Sequence, residues 1–162
     1  MVRITLIAFL TFLASFPAFL SAAETQPERE NLEVFADHLK FQNGLEFMKL
    51  RMTEKALETF NEYLEIYQQG VHRHEAHKLI ADIYFSNIEY LKALRHYRTL
   101  YEEYSTSESG IEGYFNTGVC YDKMGYEEKA VEVFNDIIAH HPDSIFARHA
   151  QLQLDLLTIL ME

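Results

Sequence analysis

The feature that most limits what this chain can fold into is a recurrence at a fixed interval of 37 residues. Gly44, Ala81 and Gly118 stand at that interval, and so do Phe47, Tyr84 and Tyr121. Ala56, Ala93 and Ala130 follow it, then Phe60, Tyr97 and Phe134, then Tyr63, Leu100 and Ile137. Columns of matched character at one spacing mean that one structural unit is built three times. Within a unit the apolar positions recur at i, i+3 and i+4, the pattern of a helix with one buried stripe. The copy from Ile111 to Pro142 shows this most fully. Tyr114, Thr117, Gly118 and Tyr121 mark a first helix, and Ala130, Val131, Phe134, Ile137 and Ile138 a second. Gly125 stands where the first helix must stop, because a glycine accepts the left-handed conformation of a helix end. Glu127 and Glu128 open the second helix, where carboxylates suit the dipole, and Pro142 follows its end. Gly118 and Ala130 have so little bulk that the two antiparallel axes can cross at about 8–9 Å.

These residues resemble a tetratricopeptide repeat. The family's aromatic, apolar, glycine and tyrosine positions on the first helix are held by Tyr114, Thr117, Gly118 and Tyr121. Its alanine, phenylalanine and closing proline are Ala130, Phe134 and Pro142. Thr117 departs from the apolar preference, and Tyr114 replaces the usual tryptophan. The period exceeds the family's ~34 residues, and the surplus is expected in the inter-repeat turns around Gln69–His72 and Thr106–Gly110. The resemblance implies an all-α solenoid of three helix pairs, at residues 37–70, 74–107 and 111–142. Residues 143–162 then supply a capping helix, because a repeat array must close its exposed core. That helix carries two apolar faces. One holds Ile145, Leu152, Leu156, Ile159 and Leu160, the other Phe146, Ala150, Leu154 and Leu157. A cap needs one of them, so the other is either buried as well or open to a partner or a second copy.

Ahead of the repeats, Met1 to Ala23 reads as a secretory signal peptide. Arg3 precedes an apolar run, and Ser21-Ala22-Ala23 offers small residues at the cleavage positions. The alternative is an uncleaved anchor, for which the run is short and interrupted by Pro17. No cysteine lies near the cleavage point, so a lipid-modified form is not expected, nor stable membrane insertion after cleavage. Residues 24–36 are expected to be a flexible lead-in, broken by Pro27, with helix starting near Asn31.

The formal charge is −11, which disfavours binding to a nucleic-acid backbone. Cleavage removes Arg3 and no acid, making it −12. The single cysteine, Cys120, leaves no internal disulfide; it is either a small packing residue or a reactive thiol. No nucleophile elbow, phosphate loop or paired-carboxylate motif is present, so no enzyme and no cofactor are expected. The best candidate for a metal site is His72, His74 and His77, although Arg73 and Lys78 stand beside it.

The resemblance implies that the first helices line a concave face that holds a peptide or a partner's surface. On the 37-residue interval its columns are His38, Glu75 and Glu112; Phe41, Lys78 and Phe115; Leu45, Asp82 and Val119; and Met48, Phe85 and Asp122. The Lys/Asn/Arg clamp by which some family members hold a C-terminal carboxylate is missing from these columns. An acidic and apolar face suits basic or amphipathic segments, with Glu75, Lys78, Asp82 and Phe115 expected to carry specificity. The chain is similar to repeat regions of Gram-negative envelope proteins, including outer-membrane-assembly lipoproteins. The expected role is a periplasmic adaptor for another envelope protein or peptide, with self-association through the last helix possible. The alternative is an accessory solute- or metal-binding protein of an envelope transporter.

Overall fold

Seven helices follow one another without a strand among the described residues, which in this computed structural model are 26–161. They are α1 (Gln26–Lys49), α2 (Thr53–Ile66), α3 (Arg73–Ser86), α4 (Tyr90–Tyr104), α5 (Glu108–Lys123), α6 (Glu127–His140) and α7 (Ile145–Met161). Helices α1–α2, α3–α4 and α5–α6 form three tetratricopeptide-like pairs, and α7 closes the array. Each helix packs on its neighbours in sequence, and α5 also meets α3 and α7. The expected signal peptide lies outside the described residues.

The helix crossing within a pair rests on one small residue facing one ring. A Cβ on Gly118 would stand 2.6 Å from Cε1 of Phe134, and one on Gly44 would overlap the ring of Phe60. Those two rings are fully buried. In the second pair Ala81 takes the small place and Tyr97 the ring, and Tyr97 donates its hydroxyl proton to Asp82 Oδ1 at 2.6 Å. Thr117 is buried too, because its Oγ1 donates to the Gly113 carbonyl at 3.0 Å, which satisfies the hydroxyl inside the helix.

A second small column joins one pair to the next. Ala76, Gly113 and Ala150 stand 37 residues apart on α3, α5 and α7, and all are buried. At Gly113 a Cβ would lie 2.7 Å from the Tyr97 carbonyl oxygen, so α5 lies backbone-close against α4. Each pair's core is therefore completed by the next first helix. Ala76, Ile80 and Ile83 of α3 close over Phe60 and Tyr63, and Ala147, Ala150 and Leu157 of α7 close over Phe134 and Ile137.

Three local expectations are corrected. Helix α1 begins at Gln26, not near Asn31, so residues 26–36 are helical. Pro27 does not break it, since the first turn has no carbonyl partner for the missing N–H. The turn near Thr106–Gly110 is shorter than expected. Ser107 caps α5 by accepting the Gly110 N–H at 3.0 Å, which draws Glu108–Gly110 into the helix.

Each first helix ends in the same left-handed residue, 37 positions apart: Arg51 (φ 57°), Ile88 (φ 64°) and Gly125 (φ 77°). The next N–H closes back on the helix each time, Met52 to Phe47 O, Glu89 to Tyr84 O and Tyr126 to Tyr121 O, all at 2.9 Å. Only the third uses glycine. For a β-branched residue this backbone is strained by about 1–2 kcal/mol. Ile88 is also 72 % exposed, so its side chain offsets little of that. Ile88→Gly should therefore raise Tm by about 2–4 °C in thermal melts, after the entropy glycine adds to the unfolded chain. An unchanged or lower Tm would contradict the strain.

Candidate functional site

Of the column residues, Lys78 on α3 and Glu112 on α5 meet across two first helices. Lys78 on α3 reaches Asp82 Oδ2 one turn on at 3.0 Å and Glu112 Oε1 on α5 at 3.2 Å. Partial burial opposes the charge on Lys78, but hydrogen bonding and attraction from Asp82 and Glu112 outweigh it, and its pKa is raised. Asp82 also takes the Tyr97 hydroxyl, whose pKa is raised by burial and then by Asp82. The centre of the face is thus a closed polar network joining α3, α4 and α5. Lys78 and Asp82, expected to carry specificity, are engaged with each other. Glu75 stays exposed and reaches back to His72 Nδ1 at 3.2 Å.

Phe41 is not a groove residue. It is 2 % exposed, packs beside Phe60 and Tyr63, and is covered by the His72 ring stacked at 4.4 Å. His38 is exposed beside the same histidine, with Nδ1 3.0 Å from His72 Nε2. Leu45 and Met48 are half-buried at this end and pack on the first core. Phe85 is half-buried edge-on to Tyr90 at 5.2 Å. Phe115 is only partly available, since it packs against Phe134 at 5.5 Å and beneath Phe146 of α7 at 5.7 Å.

The open part of the face lies at its other end. Val119 and Asp122 on α5 are half-buried. The same 37-residue interval carries the columns onto α7, where Phe115, Val119 and Asp122 are followed by Leu152, Leu156 and Ile159. These are 59 %, 54 % and 68 % exposed. Of the two faces of α7, the one with Ala150, Leu154 and Leu157 packs on the core, and the one with Ile145, Leu152, Leu156 and Ile159 is left outward. These three were expected on one of the two apolar faces of the last helix, but the columns read from the sequence stopped at Asp122 and did not join them to the first helices.

The three histidines offered for a metal are not gathered. His72 turns to His38, Phe41 and Glu75, and His74 lies edge-on to Tyr104. His77 is buried and faces His96 of α4, Nδ1 to Nδ1 at 3.2 Å, so one ring holds the proton and the other accepts it. Among the described residues no three His, Cys, Asp or Glu side chains are grouped to hold a metal ion. Cys120 is fully buried, and burial pushes its thiol up to about 12, which leaves it a packing residue. No helix among the described residues is long and apolar enough to cross a membrane.

Residues 112–144, which span most of α5 and all of α6, match the tetratricopeptide repeat family model. No curated protein matches the chain.

The buried histidine pair makes stability depend on pH. Burial depresses His77, partly countered by Glu103 and reinforced by Arg73. Burial, then His77 and Arg95, push His96 down to about 4. Between the ordinary value of 6.5 and about 4 the unfolded chain binds protons that the folded chain does not, so stability falls as pH falls through that window. The third repeat carries Tyr114 and Val133 at these positions. A His77→Tyr, His96→Val variant should lose less Tm than the parent between about pH 7 and 4.5. Parallel Tm–pH curves would contradict the assignment.

Proposed function

We propose that the chain is a non-enzymatic adaptor of the bacterial cell envelope that holds a partner protein or peptide on the face formed by α3, α5 and α7. The observation that carries this reading is the strip of exposed Leu152, Leu156 and Ile159 in register with Val119, beside a polar centre already closed by Lys78, Asp82 and Glu112. Repeats of the matched family generally mediate protein–protein contact, which supports an interaction role. An apolar strip on a chain of formal charge −11 suits an amphipathic partner segment with basic flanks. Asp122 and Asp155 stand beside the strip and would meet those flanks. The envelope assignment is supported by the sequence of Met1 to Ala23, with its single Arg3, apolar run and small residues before Glu24.

This placement moves specificity away from Lys78 and Phe115. Both hold helices together, so changing them would disturb packing as well as recognition. Leu152 and Leu156 touch solvent over more than half their surface and can be changed without opening the core. A Leu152→Asp, Leu156→Asp variant should keep its helical circular dichroism. It should bind a captured envelope partner, or its isolated basic amphipathic segment, at least tenfold more weakly. Undiminished binding by that variant would refute the face.

A further inference from the structure

A cleft of about 420 Å³ opens between the second helices α4 and α6, with α5 as its floor. It shares no residue with the strip on α7. Thr117 and Tyr121 lie in the floor, Val133 and Lys129 on the α6 wall and Arg98 on the α4 wall. One repeat earlier, at the same 37-residue interval, the corresponding residues are Ile80 and Tyr84, His96 and Lys92, and Asn61.

The two copies differ in what meets the tyrosine and the lysine. In the earlier one the His96 ring stacks with Tyr84, centroids 5.9 Å apart, and reaches His77. Lys92 stands over the same Tyr84 ring at 5.0 Å and is ion-paired with Glu89. That copy therefore supplies a planar ring to the tyrosine and a carboxylate to the lysine from its own chain, and shows that both fit at once. In the later copy Val133 stands in the place of His96 and Thr117 in the place of Ile80, so the wall has no ring and the floor carries a smaller side chain. Tyr114, in the column of His77, is stacked on Tyr101 at 4.1 Å. Tyr126 stands in the place of Glu89. Lys129 keeps its position over Tyr121, at 5.4 Å, but forms no ion pair among the described residues. Arg98, the other cation of the cleft, is held by Glu102 at 2.8 Å. The later copy thus lacks two groups at one place, a ring and a carboxylate.

We propose that this cleft binds a small aromatic carboxylate. Its ring takes the place that His96 takes in the earlier copy, stacked on Tyr121 and against the Val133 methyls. Its carboxylate accepts from Lys129 Nζ, as Glu89 does from Lys92. Glu132 also lines the cleft and opposes an anion there, which keeps the affinity modest.

The purified protein titrated with 3-phenylpropanoate tests this, read by the methyl resonances of Thr117 and Val133, which the ring current of a stacked ligand shifts. Both should move to saturation with a Kd on the order of 1 mM, the range of a ligand this small. Lys129→Gln, at an exposed position, should weaken binding by about tenfold, and the parent should bind the neutral 3-phenylpropanamide about tenfold more weakly than the acid. Val133→His, which restores the ring of the earlier copy, should leave the Thr117 methyl unmoved by the ligand. The exposed Lys129 variant and the neutral amide keep the test decisive if Val133→His does not fold. No shift of either methyl in the parent, equal binding of acid and amide, or unchanged binding by Lys129→Gln overturns the proposal.

Discussion

Everything in this molecule depends on helices lying close enough for a ring on one to cover the backbone of the next. Gly118 under Phe134 and Gly44 under Phe60 set that distance inside a pair. Gly113 against the Tyr97 carbonyl, with Ala76 and Ala150 in the same column, sets it between pairs. The gain is burial of large rings at close-packed density, roughly 1.5–3 kcal/mol for each fully buried apolar side chain. Because each pair's core is closed by the following first helix, no pair is complete alone, and the array stands or falls through its neighbour contacts. Helix α7 closes the last core with one face and leaves the other outward.

That asymmetry leaves an exposed apolar surface at one end of the array. What the first-helix columns hold, and whether it is buried, changes along the array. At the start Phe41 is drawn into the core beneath His72. In the middle Lys78 satisfies two carboxylates and is satisfied by them, which makes that region a brace with little left to offer a ligand. Toward α7 the side chains become apolar and exposed, and there a partner gains most from removing them from water.

The repeat architecture was legible because the interval recurs in residues that pack: the columns of Gly44, Ala56, Phe60 and Tyr63 are buried in every copy, with Ala81, Tyr97 and Leu100 in the second. The helix stop at Gly125 was legible for the same reason, while Arg51 and Ile88 were not, since nothing in their chemistry favours a left-handed backbone. The face was read less well. Period and column assign a side chain to a side of a helix, but not what lies over it. His72 comes from a connection, and so its stacking on Phe41 has no periodic signature. The His77–His96 contact and the Val71 N–H bond to Asp37 join residues of different elements, and only the folded chain brings them together.

The measurement that bears most directly on the account is site-specific photocrosslinking in intact cells from position 156, with position 61 on the exposed side of α2 as the comparison. The account predicts one discrete protein product from position 156, joined through a basic, amphipathic segment, and none from position 61. Equal products from the two positions, or a product from position 61 alone, would contradict it.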